Sequence, residues 1–133
     1  MSQRLRESIE GLAREDRRFP ADAYFLVFEG LEHALSRLPS RRHVAPAELL
    51  AGIHSAAASQ WGGLADLVLD GWNVRSTRDL AELVFRLVDR NLLVASDTDT
   101  RAEFLSAGDL RSGLREAFDR ELDAEPPRLA RSR

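Results

Sequence analysis

The run Leu92-Leu93-Val94-Ala95-Ser96-Asp97-Thr98-Asp99-Thr100-Arg101-Ala102-Glu103-Phe104-Leu105 decides the fold class. Its first four residues are apolar, Ser96-Asp97-Thr98-Asp99 is a cluster of turn formers, and Arg101, Glu103 and Leu105 then alternate with Ala102 and Phe104. Two short runs on either side of a turn predict a β-hairpin. A two-stranded hairpin is marginal in water and needs a partner to cover its apolar side. Residues 77–90, just before it, supply one: Leu80, Leu83, Val84, Leu87 and Val88 fall on a single helical face. Ser76 caps the start of this helix with Asp79 three residues on, and Asn91 suits its left-handed end.

Working outward, residues 46–60 predict a helix with Leu49, Leu50, Ile53, Ala57 and Trp61 inward and a small-residue back face at Ala51, Ser55 and Ala58. Gly62-Gly63 stops it, residues 64–70 form a short helix, and His43-Val44-Ala45 is a short extended candidate before Pro46. Pro20 opens a helix over 21–38, with Tyr24, Val27, Phe28, Leu31, Leu35 and Leu38 on its inward face. Phe25 and Leu26 break that pattern. Residues 3–15 carry a narrow stripe of Leu5, Ile9 and Leu12, and a last helix to about residue 122 spaces Leu110, Leu114 and Phe118 by four. The order predicts a mainly α (α+β) protein, a winged-helix-like core with one β-hairpin and additional N- and C-terminal helices. The expected domain covers 1–122, its winged-helix-like centre about 43–105, and residues 123–133 are expected to be a mobile Pro- and Arg-rich tail.

The 133 residues carry 19 basic and 22 acidic side chains, a formal charge of −3. All the basic residues are arginine and there is no cysteine, which excludes lysine Schiff bases, a Walker-type phosphate lysine, thiolate catalysis and disulfides. The charged first 18 residues and the lack of a long apolar stretch predict a cytoplasmic protein that binds no membrane.

Arg18-Phe19-Pro20-Ala21-Asp22-Ala23-Tyr24, Val27-Phe28-Glu29, His43-Val44, Glu48-Leu49-Leu50, Trp72-Asn73-Val74-Arg75-Ser76-Thr77 and Leu83-Val84-Phe85 together resemble an uncharacterised bacterial family found mainly in Planctomycetes and Verrucomicrobia. The resemblance covers roughly residues 18–120. It implies a bacterial, intracellular setting and carries no catalytic or ligand-binding residue with it.

No metal or other cofactor is expected. Glu29, Glu32 and His33 share a helix but match neither zinc nor di-iron spacing, and Asp97-Thr98-Asp99 departs from a calcium loop at Arg101 and Gly108. A Gly-x-Ser-x-Gly elbow and a phosphate-cradling glycine loop are absent, so the chain is expected not to be an enzyme; His43 and His54 are the residues an enzyme reading would need to converge. The expected function is a non-enzymatic module that binds another protein, with Phe25, Leu26 and Phe85 as its contacts, because they exceed the tidy apolar stripes. The alternative is a winged-helix-like DNA- or RNA-binding regulator using Arg41, Arg42, Arg78, Arg86 and Arg90. Against it, Asp79, Glu82 and Asp89 match the arginines of the 77–90 helix one for one, and Asp97 and Asp99 would face phosphates with the wrong sign.

Overall fold

A computed structural model describes residues 1–124. Its elements are α1 (Gln3–Asp16), α2 (Ala21–Ser36), α3 (Pro46–Trp61), a 3-10 turn over Gly62–Leu64, α4 (Ala65–Gly71), α5 (Thr77–Asp89), α6 (Arg101–Leu105) and α7 (Leu110–Asp123). Among the described residues there is no strand, so the expected β-hairpin and the winged-helix-like centre over 43–105 are corrected to an all-helical bundle. No described helix is long and apolar enough to cross a membrane. The tail expected at 123–133 lies outside the described residues, apart from Asp123, which ends α7, and Ala124.

The hairpin fails for local reasons. α5 ends in a Schellman motif: Asn91 has φ 60°, its amide donates to the Val88 carbonyl at 2.9 Å, and the Leu92 amide donates to the Leu87 carbonyl at 2.9 Å. The chain then turns at Ser96, whose amide donates to the Asp99 carboxylate at 2.9 Å. Thr100 caps α6 by accepting from the Glu103 amide at 3.2 Å. Phe104 is thereby turned into the core, edge-on to Phe85 at 5.7 Å between ring centroids. A five-residue helix holds Phe104 against α5 where a strand would have needed a partner.

The core is centred on the crossing of α2 with α3, which only glycine permits. A β-carbon on Gly52 would collide with the Gly30 carbonyl oxygen, and one on Gly30 would collide with the backbone of Ile53. This close approach sets the rotation of α2. Its buried face is Ala23, Tyr24, Leu26, Val27, Gly30 and Ala34, whereas Phe28, Leu31, Leu35 and Leu38 are only half-buried. The expected inward face is therefore corrected by about one residue. The small-residue face of α3 also shifts: Gly52 and Ala56 are buried, and Ala51 is exposed.

Ion pairs clamp α1 and its exit to α5. Arg90 meets Glu15 at 2.7 Å, Arg86 meets Asp16, and Arg18 meets Asp79 at 2.8 Å. Hydrogen bonding to Arg90 and Arg86 respectively holds the Glu15 and Asp16 carboxyls below their ordinary range.

α7 packs on α3 through His54. The imidazole lies against Gly113, where any β-carbon would strike the ring, and its Nε2 is buried without a hydrogen-bond partner. Burial, and then the nearby Arg120, push the His54 pKa down, with Glu116 opposing them. The unfolded chain takes up a proton near 6.5 that the folded chain refuses until lower pH. Stability from this group is thus complete above that value and falls as pH drops through it. The melting temperature should be lower at about pH 5.5 than at about pH 7.5, and His54→Leu should flatten that part of the profile. A profile as steep in the variant as in the parent would assign the pH dependence to other groups.

Candidate functional site

The rotation of α2 leaves an apolar stripe outside the core, and that stripe floors a surface groove. The groove holds about 890 Å³ and is lined by Phe25, Phe28, Leu31 and Leu35 of α2, with Trp61 from the end of α3 and Trp72 from the end of α4. These side chains are half-buried. The two indoles meet edge-on at 5.3 Å, and the Arg6 guanidinium lies over the Phe25 ring at 5.0 Å. The sequence places the tryptophans here for plain reasons. Gly62-Gly63 ends α3 just after Trp61, and a Schellman motif follows Trp72, with Asn73 at φ 68° and the Val74 amide donating to the Leu69 carbonyl at 2.9 Å.

The rim is charged. Asp22, Glu29 and Glu32 project from α2, with Arg6 and Arg41 as the cations of the same lining. Glu32 meets Arg41 at 3.9 Å, and Glu29 accepts from the neutral Gln60 amide at 3.1 Å. Asp22 and Glu29 are left without a cation at ion-pair distance among the described residues, and they stand seven residues, about 10.5 Å, apart along one helix.

A second pocket of about 410 Å³ opens between α2, the start of α3, α5 and the segment 93–99. Phe85 and Phe104 are in its lining, and it shares Leu31, Leu35 and Arg41 with the groove. At its mouth His43 Nε2 lies 2.5 Å from Asp99 Oδ2. Burial raises the Asp99 pKa, but hydrogen bonds from the Ser96 amide and His43 outweigh it and hold the carboxyl below its ordinary value. Arg42 donates twice to Glu48, at 2.8 and 3.0 Å. That contact, together with the Ala45 amide, pulls the Glu48 pKa to about 2.

Of the expected protein contacts, Phe25 lines the groove and Phe85 lines the second pocket beneath Arg101, whose guanidinium lies 4.8 Å from its ring centre. Leu26 is corrected: it is 2% exposed and belongs to the core, because the glycine crossing turns it inward. Phe28, Trp61 and Trp72 are groove residues that sequence reasoning missed. Tryptophans ending two successive helices were the available signal.

The arginines of the nucleic-acid alternative do not assemble into a positive band among the described residues. Arg86 is engaged by Asp16 and Glu82, Arg90 by Glu15, Arg42 by Glu48 and, more loosely, Arg41 by Glu32; Arg78 is exposed with no carboxylate at ion-pair distance. His43 and His54 do not meet in one cavity, since His43 lines the second pocket and His54 lies under α7. Among the described residues no three His, Asp or Glu side chains come together as metal ligands would. No family model, curated protein or solved structure matches the chain.

Proposed function

We propose that this chain is a non-enzymatic docking module whose α2 groove receives an amphipathic, positively charged helical segment of another protein. One observation carries the reading: half-buried aromatic side chains line a groove whose rim leaves two carboxylates, Asp22 and Glu29, without cations. Aromatic and aliphatic floors with charged rims are how grooves take up helices, the anchors arriving at i, i+3, i+4 and i+7. Aromatic side chains already held on helices lose little freedom on binding, which makes them strong contributors to affinity. Arginines on the polar face of the entering helix would pair with Asp22 and Glu29 at the rim.

A synthetic helix with leucine anchors and an arginine polar face is a suitable probe. Calorimetric titration of the full chain should give saturable binding that weakens as salt is added. Phe25→Asp should lower affinity by about 30-fold, the loss of one hot spot of about 2 kcal/mol. Glu29→Arg, at an exposed position, should weaken binding while leaving the melting temperature unchanged. Equal affinity for parent and both variants would overturn the groove as the docking site.

A further inference from the structure

We propose that this chain's own residues 125–133, which follow the described ones, seat at the tryptophan end of the groove and compete there with an entering helix. This inference rests on the groove reading, as a site for basic and apolar segments, and adds its regulation.

α7 delivers the segment to the groove. Its Phe118 ring lies against Gly62 and Gly63, 3.3 Å from where a β-carbon on Gly62 would stand, so α7 passes the residues that directly follow Trp61. From Phe118 to Ala124 the chain advances about 9 Å. The nine residues beyond can span about 28 Å, enough to come back from that point to Trp61 and Trp72. Gln60, beside Trp61, donates to Glu29 at 3.1 Å, so this carboxylate of α2 stands at the same end.

The exit from α7 has the backbone that an aromatic groove receives. Ala124 has φ −68° and ψ 145°, polyproline II values. Pro126 and Pro127 follow one residue later, and each ring fixes φ near −65°. Proline-bearing segments dock on aromatic-lined grooves in this conformation and lose little entropy in doing so.

Charge agrees. The segment carries three arginines and one glutamate. The groove lining holds three carboxylates, Asp22, Glu29 and Glu32, against the two guanidinium groups of Arg6 and Arg41. Arg6 lies over the Phe25 ring and Arg41 reaches Glu32, so Glu29 is open to Arg128 or Arg131, which flank the apolar Leu129. Tethering does the rest. At an effective concentration of about 1 mM, a segment with an intrinsic dissociation constant of about 0.1 mM fills its seat about nine-tenths of the time and weakens a competitor about tenfold.

The chain has no cysteine, so Ser132→Cys gives a single thiol for a nitroxide on the full chain. The label should broaden the Trp61 and Trp72 indole N–H signals and the Glu29 amide in NMR spectra. A variant of unchanged charge, Pro126→Ser with Pro127→Ser and Leu129→Ser, should lose that broadening and bind the arginine-faced leucine helix about tenfold tighter. Arg128→Gln with Arg131→Gln should act in the same direction. Unchanged broadening in the first variant, or tighter binding in the arginine variant alone, would overturn the seat, since general attraction between charges would then explain it. If the helix binds parent and variants equally, the seat falls and the groove reading stands. If the parent's indoles broaden and no helix binds, the seat stands and the docking of another protein's helix falls.

Discussion

Gly52→Ala is expected to lower the melting temperature by roughly 10 °C for a chain of this size. The added methyl would sit on the Gly30 carbonyl oxygen, with the Ala34 side chain close by. Backbone oxygen cannot swing aside as a flexible side chain would, so the helices must separate. The overpacking penalty then exceeds its usual range of about 1–3 kcal/mol, reaching about 4 kcal/mol. Alanine's better helix propensity offsets about 1 kcal/mol of this, leaving a net loss of about 3 kcal/mol. Gly71→Ala is the internal control, because a β-carbon there meets nothing within 4 Å. It should leave the melting temperature unchanged or slightly raised. Thermal unfolding followed by circular dichroism measures both, and a Gly52→Ala protein as stable as its parent would show that the crossing is looser than described.

Phe19→Ala should be more damaging still, at about 4 kcal/mol. Phe19 is 1% exposed although it lies between two helices, in the connection from α1 to α2. Its ring meets Tyr24 edge-on at 6.3 Å between centroids and carries two guanidinium groups, Arg18 at 4.9 Å and Arg86 at 5.4 Å. Removing the ring leaves a cavity beside the buried Tyr24 ring. It also takes away the surface against which Arg86 is held toward Asp16. Phe19→Leu keeps most of the volume and loses the ring contacts, so it should cost about 1.5 kcal/mol. Denaturant unfolding of the two variants tests this, and a Phe19→Ala loss below about 1 kcal/mol would remove the residue from the clamp between α1 and α5.

Much of the architecture was legible before any coordinates. Residues 77–90 announce a helix by periodicity, with a Ser76 cap and an Asn91 terminator, and both ends take those forms. The hairpin was not excluded by pattern because an apolar run as short as Leu92-Leu93-Val94 fits either class of element. The deciding signal lay in Thr100-Arg101-Ala102-Glu103, a Ser/Thr-x-x-Glu helix start. Alternation over six residues obscured it.

The groove was hidden for a different reason. Hydrophobic periodicity weighs large apolar residues, so it turned Phe28, Leu31 and Leu35 toward the core. Burial in α2 is decided instead by Gly30 and Ala34, whose small size lets α3 come close. The larger residues are displaced to the outside, and Phe25 among them was visible as an excess. That Asp22 and Glu29 lack cations depends on where Arg41 and Gln60 come to rest, and those positions belong to the tertiary structure.

Trp61 and Trp72 are the two tryptophans of the chain and both line the groove, so intrinsic emission reports its occupancy directly. Titrating the arginine-faced leucine helix into the full chain should shift tryptophan emission to shorter wavelength and reach saturation, while the same helix with a glutamate face leaves the spectrum unmoved. Emission unchanged by the arginine peptide up to about 1 mM, or an equal response to both peptides, would contradict the groove as a docking site for a basic helix.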